Sequence, residues 1–284
     1  MVTCNTNPRQ AVAYLSAIEL LNPMKTLRPL RQLLIALTLT ALLAACSSLN
    51  PQTANTSPMS HQLWDSLLKQ HVNDEGWVDY EGFMADSASL RKYLTLLQSN
   101  GPNDANWSRN EQLAYWINLY NAFTVELILQ HYPLKSIKDI GSSIQVPFIN
   151  SPWDIKFIEV GGETLDLNNV EHNILRKHLQ EPRIHFAINC ASYSCPRLRN
   201  EAFTADRLEA QLEAAAVEFI NDPKRNTIAK DKVAVSQIFN WFKGDFTKEG
   251  SLVDYLNQYS QVPIDPKAKV SHRKYDWKLN SLGN

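Results

Sequence analysis

The chain has 284 residues, of which 44% are hydrophobic and 20% charged, with a formal net charge of −1. These proportions are ordinary for a globular protein of one large or two small domains. So balanced a charge supplies no basic field for nucleic acid, and no nucleic-acid partner is expected.

The first predicted element is a targeting signal. From Met24 the sequence reads MKTLRPLRQLLIALTLTALLAACSSLN. Lys25, Arg28 and Arg31 precede an apolar run over residues 33–43, which is short for a membrane span and flanked like a signal peptide. Its end, Leu43-Ala44-Ala45-Cys46, resembles the bacterial lipobox. That resemblance implies that residues 24–45 are removed and that Cys46 is lipidated (palmitate among its acyl chains) as the first mature residue. A plain signal peptide or an uncleaved anchor is the alternative. Residues 1–23 then read as an over-long gene start. Ser47 after the cysteine resembles lipoproteins sorted to the outer membrane, so the expected partner is the membrane, through Cys46, with the domain facing the periplasm. Loss of residues 1–45 removes Arg9, Lys25, Arg28, Arg31 and Glu19 and takes the formal charge from −1 to −4. Residues 46–59 are rich in Ser, Thr, Asn and Pro and read as a flexible tether.

A single globular domain is expected over residues 60–284. Residues 61–71 are predicted helical. A turn at Gly76 and a short extended piece follow, then a helix over 87–98 with Leu90, Leu94 and Leu97 on one face. The third helix opens on a capping-box pattern, Ser108 and Glu111, and continues through Leu113, Trp116, Ile117, Tyr120, Thr124 and Leu127 until Pro133 ends it. Residues 153–167 read as a β-hairpin across Gly161-Gly162, and Asn168 as the cap of a helix to Leu179. RIHFAINC, residues 183–190, reads as a buried strand. Residues 204–221 form an Ala- and Glu-rich helix. A small hairpin spans 227–235, and short helices lie near 236–242 and 251–259. The fold class indicated is α+β, mainly helical, with a small antiparallel sheet.

No zinc-spaced CxxC pair, HExxH, phosphate-binding glycine loop or GxSxG elbow is present, and no cofactor or metal is expected. Cys190 and Cys195 are the only thiols left in the domain, in a compartment that permits disulfides. Three uses remain open: a disulfide between them, a thiol nucleophile, or inert packing. A nucleophile needs a base. Strand alternation puts His185 on the face opposite Cys190, which leaves His172 as the candidate. Glu171 points about 100° from His172 along a helix and does not orient it. Asn118 and Asn121 lie near one face of the third helix and either tie loops to the core or orient a catalytic group. His172, Glu171 and His185 have the atoms of a metal site but no recognised spacing.

WVDYEGF, WINLYNAFT, NNVEHNILR and PRIHFAINCASYSCPRL, in this order, resemble the family catalogued as domain of unknown function 547. The resemblance runs from Trp64 to Leu279 and includes YDWKLN at 275–280. It implies that Asn118, Asn121, Glu171, His172, His185 and Cys190 are motif positions, without assigning roles to them. The function expected is an envelope-anchored lipoprotein with a thiol-dependent hydrolase or transferase site for amide or peptide bonds. Cys190 would be the nucleophile, His172 the base, and Asn118 or Asn121 an orienting group. The alternative is a non-catalytic periplasmic protein that binds an envelope peptide, glycan or protein.

Overall fold

A computed structural model describes residues 57–141 and 151–283. The signal, Cys46 and most of the tether lie outside the described residues. Met59 already packs against the core.

Helix α1 (Gln62–His71) buries Trp64, Leu67 and Leu68 on one stripe. The chain then turns at Gly76, whose φ of +81° and close approach to the Arg197 backbone leave no room for a side chain. Val78 returns to pair with Val72. Asp79 caps α2 (Tyr80–Ala85) by accepting the Gly82 amide, and α3 (Ser87–Ser99) follows.

Helix α4 (Arg109–Leu129) starts at the predicted capping box of Ser108 and Glu111. Its 21 residues run through the middle of the larger hydrophobic cluster, and every residue from Gln112 to Val125 is buried. A helix enclosed on all sides shows no polar face, so here bulk identifies the centre better than amphipathicity does.

The hairpin is where the sequence puts it: β1 (Ile158–Val160) and β2 (Glu163–Leu165) pair antiparallel across Gly161-Gly162. The next helix departs from expectation. Asn168 is itself helical and caps nothing; Asp166 accepts the Asn169 amide at 2.6 Å instead. From Asn169 to His178 this helix is π-wound, as in the bond from Leu179 N–H to the Ile174 carbonyl at 2.9 Å.

The buried strand expected at 183–190 does not form. Pro182 opens a 3₁₀ turn, Pro182–Phe186, under a Glu181 cap, and the Ala187 and Ile188 amides close back on Ile184. Ile184, His185 and Phe186 are buried in succession, and such a run has no period with which to distinguish strand from turn.

Helix α5 (Leu208–Asn221) leads to a small sheet. Strand β3 (Thr227–Ile228) pairs antiparallel with β4 (Lys232–Val235), and β4 pairs parallel with β5 (Lys269–His272). Between β4 and β5 lie α6 (Ile238–Trp241), α7 (Lys243–Phe246) and α8 (Leu252–Asn257). The molecule is α+β and mainly helical, as the sequence indicates, although its second sheet includes this parallel pair. After β5 the chain crosses back. Residues 275–282 bond to residues 191–194 and to Val78, through Tyr193 N–H to Lys278 at 2.7 Å and Leu282 N–H to Val78 at 2.8 Å. The final segment thus straps the cysteine loop to the helical half.

Candidate functional site

The cysteine loop is pinned from beneath by α4. Asn121 accepts the Asn189 amide at 2.8 Å and donates to the Ala187 carbonyl at 3.0 Å, clamping the backbone just before Cys190. Asn189 continues the tie, donating to the Pro196 carbonyl and accepting the Ala191 amide. Ala191 takes a φ of +59°, a left-handed conformation unfavourable for a residue with a Cβ. Asn118 does similar work elsewhere: both ends of its amide bond the backbone of Phe203. The two asparagines therefore anchor different segments, and only Asn121 acts on the cysteine loop.

Cys190 and Cys195 are both free thiols in this structure. The tight turn brings the Cys190 backbone N–H to the Cys195 sulfur at 2.9 Å. The Cys190 thiol lies 3.1 Å from Ser192 Oγ and 3.4 Å from Tyr275 Oη. The two thiols are not equivalent. Burial, followed by its hydrogen bond to Cys195, pushes Cys190 well up. Burial also raises Cys195, but hydrogen bonds from the Cys190 side chain, Tyr275 and the Cys190 backbone outweigh it and bring this thiol down to about 7. The resting negative charge of the pair thus belongs on Cys195.

Both cysteines line a cavity of about 170 Å³, together with Tyr120, Glu171, His172 and His185. The π-wound helix carries Glu171 and His172, and the 3₁₀ turn carries His185. Glu171 Oε2 lies 3.5 Å from Tyr120 Oη, and Oε1 is 3.8 Å from His185 Nδ1. Burial raises the Glu171 carboxyl to about 7, against the opposing charge of Arg176. His185 has a side chain only 1% exposed; its Nε2 donates to Asp245 at 2.8 Å, and its ring stacks on Phe242 at 4.0 Å. Burial lowers it to about 4 despite Asp245, so the ring is neutral and its bare Nδ1 faces Glu171. Burial raises the Asp245 carboxyl, but hydrogen bonds from His185 and Arg176 overcome this and hold it well below the usual range.

His172 lines the same cavity, but Arg176 Nη1 donates to its Nδ1 at 3.1 Å. Burial, then the charges of Arg176 and Lys177, lower its pKa and keep the ring neutral. With Nδ1 already accepting, the ring proton sits on Nε2, so His172 offers a donor. Among the described residues, no hydrogen bond joins either sulfur to His172 or His185, and no group of three or more His, Cys, Asp or Glu side chains is arranged to hold a metal ion.

The structure adds four residues to those singled out in the sequence: Tyr120, Ser192, Asp245 and Tyr275. Tyr275 lies in the YDWKLN segment, which the family resemblance marks. Asp245 has no local signature; only the tertiary fold brings it to His185.

The model of a family described as a protein of unknown function, DUF547, matches residues 105–220. That segment is similar to this family, and the match covers less than half of the chain. It spans the interval from just before α4 almost to the end of α5, so Asn118, Asn121, Glu171, His172, His185 and both cysteines fall within the DUF547 match. Tyr275 and Trp277 reach the cavity from outside it, and Asp245, also outside it, bonds the cavity residue His185. No curated protein and no solved structure matches the chain.

Proposed function

We propose that this protein is a thiol-dependent acyl hydrolase or transferase for amide or peptide bonds, held on the periplasmic face of the outer membrane by lipid on Cys46. What carries the proposal is the polarised sulfur pair: Cys195 accepts the Cys190 backbone N–H, beside two hydroxyls, in a cavity a small group can enter. The nucleophile comes from this pair, with the charge resting on Cys195. Proton transfer falls to Glu171, whose acidity is tuned near neutrality. His172 supplies a donor to a developing oxyanion, and Asn121 positions the loop.

Peptide mapping after brief iodoacetamide treatment of the folded protein tests this. Modification of a cavity cysteine is expected, with a pH midpoint about 7, and Cys195→Ala should abolish both that acidic midpoint and release of p-nitrophenol from its acetate ester. If both sulfurs stay unmodified until the protein is unfolded, there is no nucleophile. Palmitate labelling lost in Cys46→Ala is the expected result for the anchor.

One observation favours a non-catalytic binding protein: neither sulfur is hydrogen-bonded to an imidazole. In that case Cys195→Ala leaves ligand binding by the aromatic-walled cavity intact and no ester is turned over.

A further inference from the structure

The cavity holds a carboxyl that almost nothing in the protein satisfies. Glu171 is 8% exposed, and among the described residues the hydrogen bond to its carboxyl is the 3.5 Å one from Tyr120. His185 turns a bare nitrogen toward it, because Asp245 takes that ring's proton. Arg176, the guanidinium whose charge reaches it, is bound by Asp245 through Nε at 2.5 Å and Nη2 at 3.2 Å. A buried carboxylate without donors is costly unless a cation arrives from outside. Most of the remaining wall is aromatic, from Trp153, Trp241, Phe242, Tyr275 and Trp277, although Arg176 already lies over the Phe242 ring and Lys138 over the Trp277 ring. Trp241 is 46% exposed and stacks on Trp277 at 5.6 Å, extending the wall outward. Ring faces attract cations and shed water around methylene groups, whereas an anion here would meet Glu171. The volume is below the roughly 300–1,000 Å³ of a site for a whole drug-sized ligand, so it suits one end of a substrate.

We propose that this cavity binds a primary alkylammonium group, with its charge on Glu171 and its methylenes against the indole walls. The binding site stands on the cavity alone. Its use rests on the thiol reading above: the amine is the acyl acceptor, which makes the enzyme a transferase. The ammonium gives one proton to the Glu171 carboxylate, and the freed nitrogen attacks the thioester carbonyl. The C–N bond forms and the C–S bond breaks. The nitrogen's second proton passes to the departing sulfur, leaving an amide, a thiol and a neutral Glu171.

Facing Glu171 are Tyr120 from α4, His185 from the 3₁₀ turn, Asp245 from α7, Arg176 on its own helix and Cys195. Across pH 7 both Glu171 and Cys195 change charge while Asp245 stays ionised and His185 neutral, so the Glu171→Gln and double-cysteine variants assign the pH effect between them.

Three tryptophans line the cavity, so intrinsic fluorescence reports occupancy. The full chain is titrated with n-butylammonium chloride and with 1-butanol as the neutral isostere. At pH 8 the ammonium is expected to bind at least ten-fold more tightly. Glu171→Gln should erase that preference, and so should pH 5.5 in the unsubstituted protein, which needs no variant to fold. Equal binding of butanol, no binding, or a preference that survives Glu171→Gln overturns the proposal. A double Cys190→Ala, Cys195→Ala protein should retain the preference. Amine preference without thiol reactivity would overturn only the acyl-transfer reading; thiol reactivity without amine preference would overturn only the amine site.

Discussion

Burial moves Glu171 and His185 in opposite directions, and the two effects meet in one pH window. Folding raises the Glu171 carboxyl from 4.5 to about 7, so between these values the folded state holds a proton that the unfolded chain has lost. Stability from this group is complete below pH 4.5 and is lost as pH rises through 7. Folding lowers His185 from 6.5 to about 4, so its contribution is complete above pH 6.5 and is lost as pH falls through 4. From pH 4.5 to 6.5 the two slopes oppose each other and should leave a nearly flat profile. Glu171→Gln removes one arm. At pH 8 the variant should be more stable than the parent by roughly 1–3 kcal/mol, and at pH 4 nearly unchanged. Urea midpoints at the two pH values check this, and destabilisation at pH 8 would mean that the carboxylate is satisfied after all. A site residue whose removal stabilises the fold is one retained for function.

The elements around the cavity differ in how far their own residues specify them. Helix α4 was legible because its start and its bulk are local: Ser108 and Glu111 cap it, and large apolar residues fill it. For its two asparagines the sequence leaves open a loop anchor or a catalytic orienter, and it does not show which loop each holds, since their partners lie 66 to 85 residues away. The difference is testable. Asn121→Ala strands a buried amide and carbonyl beside Cys190, and Asn118→Ala strands the same groups at Phe203. Each should cost about 2–4 kcal/mol by unsatisfied burial. Only Asn121→Ala should also move the pH midpoint of thiol alkylation upward; equal shifts in both variants would show that the loop is held by the core as a whole. The 3₁₀ turn at Pro182–Phe186 was not legible, because uninterrupted burial suits strand and turn alike. That error placed His185 by strand alternation and hid its pairing with Asp245. Treating the helix of Glu171 as an isolated cylinder likewise missed Tyr120 and His185, which reach the carboxyl from other elements.

On the scale of the whole molecule the cavity lies along a seam. One hydrophobic cluster surrounds α4 and contains Tyr120 and Ile188; a second, around Phe186, α5 and β4, contains Tyr275 and is touched by Cys190. Trp277 packs against both. The strap at residues 275–282 crosses the seam, placing Tyr275 over the sulfurs and Asn280 between Tyr80 Oη, at 2.7 Å, and Asn189. The acidity of Cys195 is therefore a property of the assembled halves, since Tyr275 and the clamped Cys190 amide belong to segments held together by the strap. Deletion of residues 275–284 should leave α4, enclosed within its own cluster, helical by far-UV circular dichroism. The seam should open, and the pH midpoint of Cys195 alkylation should return toward the ordinary thiol value of about 8.5. A midpoint still about 7 in the truncated chain would place the control of that thiol within the cysteine loop alone, with no contribution from the strap.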